Sequence, residues 1–424
     1  MTAVIGILNR NGIALAADSA VTVTGGNNKK IYNSANKLWA LSKYHPVGVM
    51  IYDSSTLIGT PWETIIKLYR NQLAENKFDT INGYKLDFLK FVKDNDYFAP
   101  PTEQLFKLKQ FCYWQFQNIR DYIYTLLTPG KTEPELKAEF LLKLEAKLDT
   151  DIATYVGATN VLSDFSTYTI DQFKAYCETE LNDAMDKAYK GITLTPDIRN
   201  KHLQLYFDQL RTTNFNGFVT GIVFAGYGDK DIFPALESVI IADAFDSKLR
   251  YYHGTPEKIT HAMGGSIVPF AQTDVINMFI KGIDPLIDRT YETVFQDFLS
   301  EFNNEIIKIV EPADQALADQ LKAIDINAIS IKFKNKIAEV QRVKQIQPTV
   351  DTVAILSKED LAEMAESLIY LTYLKRRMSS EDESVGGPID VAIITKGDGF
   401  IWKKRKHYFD KELNQNFFST YLKS

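Results

Sequence analysis

The chain has 424 residues, 45% of them apolar, and carries 48 basic against 54 acidic side chains for a net charge of −6. That length admits two or three domains, and the charge balance leaves no basic footprint for nucleic acid. No apolar run approaches the ~18 residues that span a bilayer and no basic segment followed by an apolar core marks a signal peptide, so the expectation is a cytoplasmic protein with neither nucleic-acid nor membrane partner.

In chain order, Thr2 to Leu8 is an apolar, partly β-branched run, Asn11-Gly12 is a hairpin turn signal, and Ile13 to Ala17 is a second strand. An antiparallel hairpin brings Asp18, where the second strand ends, beside Thr2, where the first begins. Lys37 directly precedes the apolar stretch Leu38-Trp39-Ala40-Leu41 and so opens a third strand; Lys29 and Lys30 compete with it, but neither directly precedes a strand. Removal of Met1 would leave the Thr2 hydroxyl beside a free α-amine with an ordinary pKa near ~7.7–8.0, a built-in base for a weak oxygen nucleophile. A hydroxyl, an acid and a base thus converge on one sheet end.

Further on, Thr60-Pro61-Trp62-Glu63 has the form of a capping box with Pro at the first helical position, predicting a helix packed on the sheet. Residues 65–215 hold many of the aromatic residues, Phe106, Phe111, Trp114 and Phe116 among them, at helical spacing that predicts a core or a helix–helix interface. Leu86, Leu89 and Val92 recur against Asp87, Lys90 and Lys93, and Glu133–Leu148 and Ile198–Leu210 are amphipathic. Strands are predicted near Phe218–Ala225, Ser238–Ala242 and Leu249–His253, an antiparallel meander ending at Met263-Gly264-Gly265-Ser266. Helices follow at Asp288–Val310 and Asp314–Ala323, with Pro312 between them. Ser357 to Asp360 is a capping-box start for a helix with Leu361, Met364, Ala365, Leu368 and Leu371 at helical spacing, ending in Arg376-Arg377-Met378. After it come the loop Glu381–Asp390 and the strand Val391–Thr395. Lys403-Lys404-Arg405-Lys406 reads as a solvated strand end. Cys112 and Cys177 are too few for a disulfide framework and lack ligand spacing; with five histidines, neither a metal nor a cofactor is expected.

Three of these blocks resemble the proteasome β-subunit family, with its HslV and Anbu-like relatives, within the N-terminal nucleophile hydrolases. That family opens on a Thr, has an acidic residue sixteen positions later in an A-A-D-S strand end, then a Lys before an apolar strand. Here Ala16-Ala17-Asp18-Ser19 lies sixteen past Thr2, Thr22 follows as in the family, and Lys37-Leu38-Trp39 fits the lysine strand, after an interval about three residues longer than usual. Gly264-Gly265-Ser266 resembles the family's Gly-Ser-Gly turn, whose Ser supports the nucleophile. The segment Asp382-Glu383-Ser384-Val385-Gly386-Gly387-Pro388-Ile389-Asp390 resembles the family's closing motif in its Anbu-like form.

The resemblance implies an α/β (α+β) fold: a four-layer αββα sandwich of two antiparallel sheets with large all-helical insertions. Residues 1–70, 215–275 and 350–405 would form the discontinuous core, 71–214 and 276–349 the insertions, and 406–424 a C-terminal extension. It implies a threonine-dependent peptidase or amide hydrolase in which Thr2 attacks, Asp18 and Lys37 assist, and Asp382 and Ser384 position the amine. The family's oxyanion glycine is missing from Val49–Ser54, so main-chain amides near Asp53, Ser54 and Ser55 would take its place, with Thr22, Met50, Ile51 and Ser55 toward the substrate. A peptide or protein substrate, self-association into a homo-oligomer, and an ATPase or other protein partner follow by the same likeness. The alternatives are a catalytically inactive scaffold on this fold and a small-substrate amidase.

Overall fold

The computed structural model describes residues 2–25, 28–215, 217, 219–378, 385–407, 409–410 and 412–416. The chain opens with strands β1 (Ala3–Asn9) and β2 (Gly12–Ala17), a separate hairpin of β3 (Val21–Gly25) and β4 (Asn28–Tyr32), then β5 (Leu38–Ala40) and β6 (Val47–Asp53). Short strands β7 (Thr56–Leu57) and β8 (Thr60–Pro61) lead into helices α1 (Trp62–Leu73) and α2 (Ile81–Asp94). Four longer helices follow: α3 (Pro101–Thr125), α4 (Glu133–Ala153), α5 (Ile170–Ala188) and α6 (Pro196–Leu210). The meander is β9 (Thr220–Gly226), β10 (Ala235–Phe245) and β11 (Lys248–His253), with the short β12 (Glu257–Lys258) and then β13 (Gly265–Ala271). Helices α7 (Asp274–Lys281), α8 (Pro285–Val310), α9 (Gln315–Lys322), α10 (Ile326–Gln341), α11 (Gln347–Ile355) and α12 (Lys358–Met378) precede the closing strands β14 (Asp390–Thr395) and β15 (Gly399–Lys404).

Two sheets result, ordered β13-β1-β2-β14-β15 and β11-β10-β9-β6-β5, antiparallel throughout. Their strands read as continuous apolar runs because both faces are covered, and the period of two sorts the side chains. From β1 and β2, Ala3, Ile5, Ile7, Ala14 and Ala16 face α11 and α12, while Val4, Leu8, Ile13 and Leu15 face the other sheet. From β6 and β9, Val49, Ile51, Ile222 and Phe224 face α1 and α2, while Met50, Val223 and Ala225 face inward. The result is the αββα sandwich, with one apolar layer between the sheets and one under each helical face. Gly48 lies where the sheets close: a Cβ there would come within 2.9 Å of Ile394 and of Phe400.

The structure corrects the start of α1. Thr60 pairs in the β7/β8 hairpin and its hydroxyl donates to Phe98 O at 2.7 Å; the helix begins at Trp62 with Pro61 as N-cap and no side-chain cap. The helix α2, within the 71–214 segment, packs on the sheet with α1, whereas α3 to α6 gather around a core of their own that includes Cys112, Phe116, Phe173, Cys177 and Tyr206. That lobe meets the sandwich through Phe245 at the end of β10. At α12, Ser357 and Asp360 make the reciprocal capping bonds. Among the described residues, no helix is long and apolar enough to cross a membrane, and no cluster of His, Cys, Asp or Glu could hold a metal.

Candidate active site

The β1/β2 register sets Val4 opposite Ala17, so the next residue, Asp18, lands beside Ala3. The Asp18 amide donates to Ala3 O at 3.1 Å and the Ala3 amide to Asp18 Oδ1 at 2.9 Å. Lys37, immediately before β5, donates from Nζ to the same Oδ1 at 2.7 Å and to Ala20 O at 2.5 Å. The second carboxylate oxygen accepts the amides of Ala20 at 3.1 Å and of Gly386 at 3.2 Å. Three separate segments are therefore tied to one carboxylate, next to the peptide that follows Thr2. Thr2, Asp18 and Lys37 are all buried, at 3%, 1% and 3% exposure.

A buried ammonium needs its counter-charge. Burial pushes Lys37 below the usual lysine range, opposed by the charge and hydrogen bond of Asp18, with the nearby Lys406 pushing it lower still. Lys406 itself reaches a buried carboxylate, Asp390, through both its ammonium and its backbone amide. The basic run after β15 thus folds back onto the sheet at this residue instead of ending in solvent, because Asp390 is buried and needs a cation.

Asp53 ends β6 with φ +66°, a conformation that costs little only for Gly and is tolerated by Asp. Along β6 the Ile51 amide bonds Lys37 O and the Ser54 amide bonds Val219 O, each at 2.9 Å. Ser54 is thereby excluded as an oxyanion donor. By the same alternation the Asp53 amide points to the β5 side, where the position opposite it, Ala35, precedes the strand. Partial enclosure raises the Asp53 carboxyl above its ordinary pKa, and the Lys37 charge opposes that rise.

The other expected residues fall as follows. Met50 is buried between the sheets and Ile51 under the helices, since neighbouring strand residues point to opposite faces; the two cannot line one pocket wall together. Ser55 is exposed just past β6. Thr22 stands on β3 opposite Ile31. Asp382 and Ser384 lie outside the described residues. Ser266 is opposite Leu8, at the far end of β1 from Thr2, because β13 runs the whole length of β1 between them. The residues that flank Thr2 on that side are Ala271, at φ +61°, and Gln272, whose amide donates to Thr2 O at 3.2 Å. Sequence reasoning did not find Ala20, Gly386, Asp390 or Lys406. Gly386 and Asp390 carried a signal, their place in the closing motif, whereas Ala20 acts through main-chain atoms and Lys406 through an ion pair that no local pattern marks.

No protein-family model and no curated sequence matches the chain. Among solved structures it is similar to Anbu proteins. One is the Gly-1 mutant of Anbu from Hyphomicrobium sp. strain MC1, at 10% identity and TM-score 0.30 over 100% of this chain and 95% of that one. Another is Anbu, described as an ancestral β-subunit, from Yersinia bercovieri, at 9% identity and TM-score 0.28 over 100% and 97%. A third is a helical assembly of the Anbu complex from Pseudomonas aeruginosa, at 8% identity and TM-score 0.27 over 99% and 93%. Anbu is among the relatives that the N-terminal motif resembles.

Proposed function

We propose that this chain is a threonine-dependent amide hydrolase of the proteasome-like kind, with Thr2 as nucleophile once its amine is free. The observation that carries the reading is the single buried carboxylate of Asp18, which holds the Ala3 amide and the Lys37 ammonium on one oxygen. A structural role alone gives no reason to bury the lysine before β5 against the residue that opens β1, where desolvation lowers its hold on the proton.

In the proposed reaction, Thr2 Oγ bonds to the carbonyl carbon of a peptide or amide while its proton passes to the Thr2 amine. The Lys37 charge stabilises the developing alkoxide, and the Asp53 amide donates to the oxyanion. Collapse breaks the C–N bond, with the amine's proton going to the leaving nitrogen. The acyl group remains as an ester on Thr2. Water, deprotonated by the same amine, attacks this ester and releases the carboxylic acid. Asp18 acts by holding Lys37.

The test is turnover of a panel of N-capped peptidyl aminocoumarins by protein with a free Thr2 amine. Thr2→Ala abolishes turnover, Thr2→Ser retains part of it, and Lys37→Met lowers kcat by about 10²–10⁴, the range of a positioned proton-transfer or charge-stabilising group. Turnover equal in Thr2→Ala and the parent chain would contradict the assignment. The scaffold reading is favoured by one observation, the Asp53 carboxylate at the oxyanion position. Asp53→Gly separates the two: removing a charge and a left-handed non-glycine residue raises kcat in an enzyme and does nothing catalytic in a scaffold.

A further inference from the structure

We propose that the hairpin of α8 and α10 is the docking surface for a second copy of this chain, closing a two-fold four-helix bundle outside the sandwich. In α8 the side chains of Ile287, Val294, Phe298, Phe302 and Ile309 are exposed, and among the described residues of this helix only Ile307 is buried. In α10 no described residue is buried, and Ile329 and Val340 are exposed. Phe295 and Phe333 stack at 4.0 Å between the two helices and fix which sides face each other. At 100° per residue, Val294 and Phe298 on one helix and Ile329 and Val340 on the other then turn to the same open side of this antiparallel pair.

Charge selects the occupant. The helix α8 carries five acidic and two basic residues, whereas Ile326–Ile346 carries five basic residues and one acidic. A two-fold axis lying in the interface and parallel to the helices lays the acidic helix of each copy on the basic helix of the other, so the surface is complementary to itself. The face also has the required size. Ile326–Ile346 runs about 31 Å beside the longer α8, and two helices side by side at 8–10 Å spacing present a face of roughly 600 Å², of the order of the ~800 Å² per partner of a stable interface. Glu301 and Glu305 on α8, and Lys332 and Lys336 on α10, are exposed and one helical turn apart.

Sedimentation of the full chain and of two charge-reversed variants, E301K/E305K and K332E/K336E, tests this. E301K/E305K turns α8 net basic beside a basic partner helix, and K332E/K336E leaves Ile326–Ile346 without net charge to meet the acidic α8, so each self-associates at least tenfold more weakly than the parent. Mixed, the two variants are complementary again and recover the parent's mass as a heterodimer, with helicity by circular dichroism unchanged throughout. A parent chain that stays monomeric, masses that neither reversal changes, or variants that fail to recover on mixing would each overturn the proposal; the first would point to a different protein as the occupant. Thr2 chemistry does not enter this readout, so the outcome stands apart from the catalytic assignment.

Discussion

The two helical segments outside the sheets use similar residues to opposite ends. Helices α3 to α6 turn Phe116, Phe140, Phe173 and Tyr206 into a closed core, while α8 and α10 turn Ile287, Phe298 and Val340 to solvent. Both are amphipathic, and the sequence alone does not distinguish them. What differs is the arrangement of partners: four long helices can bury one another's apolar faces, whereas α8 is covered by the short α9 and by α10, which leave one face of α8 and of α10 open. An apolar stripe therefore shows that something is covered, and only the fold shows whether the cover lies within the chain.

The largest expected contrast comes from deleting an aromatic ring in each region. Phe116, fully buried and edge-to-face with His202 and Tyr206, should cost about 3–5 kcal/mol when changed to Ala. Phe298→Ala should leave the stability of the isolated chain within about 0.5 kcal/mol while weakening self-association. Urea unfolding at low protein concentration measures both, and equal losses would erase the distinction.

A smaller effect is expected from acid. His202 is sealed inside the lobe, its Nε2 at 3.1 Å from the Tyr189 hydroxyl, and burial pushes its pKa down to about 3. The folded lobe thus binds a proton less readily than the unfolded chain, whose histidine titrates near ~6.5. The resulting stability is whole above about pH 6.5 and declines as pH falls toward 3, by about tenfold in the folding equilibrium per pH unit. In His202→Gln this one-proton slope should vanish from urea midpoints measured between pH 7 and 4. An unchanged slope would show that the imidazole is not sealed.

The smallest effect is chemical. Cys112 and Cys177 are buried, and burial raises both thiols above their ordinary range, so neither should react with a thiol reagent until the lobe is unfolded. A cysteine introduced as Phe298→Cys should react at once in dilute protein and slow as concentration rises. Fast labelling of the native pair would mean that the lobe opens.

Much of the sandwich was legible because its signals are local. The strand–turn–strand pattern of residues 2–17 places Asp18 beside Ala3, and Lys37 announces itself by standing directly before an apolar strand. The capping pair Ser357 and Asp360 marks α12 in the same way. The misses are tertiary. Gly264-Gly265-Ser266 has the right composition, but the five residues 267–271 of β13 separate Ser266 from the Thr2 end, and no composition encodes which end of a strand a motif will occupy. Thr60 has the side chain of a cap, yet its hydroxyl is taken by Phe98 O, 38 residues away. Asp53 hides its conformation because a left-handed backbone is expected of glycine. Lys406 looked like part of a solvated strand end because nothing local shows that its partner, Asp390, is buried.

The most direct measurement is the intact mass of protein whose N-terminus has been sequenced, with and without a peptide epoxyketone that reacts with both the hydroxyl and the amine of an N-terminal threonine. Thr2 as the first residue, with one adduct that is absent from Thr2→Ala, is the predicted result. A free Thr2 amine with no adduct, or an adduct that persists in Thr2→Ala, would contradict the assignment of Thr2 as nucleophile.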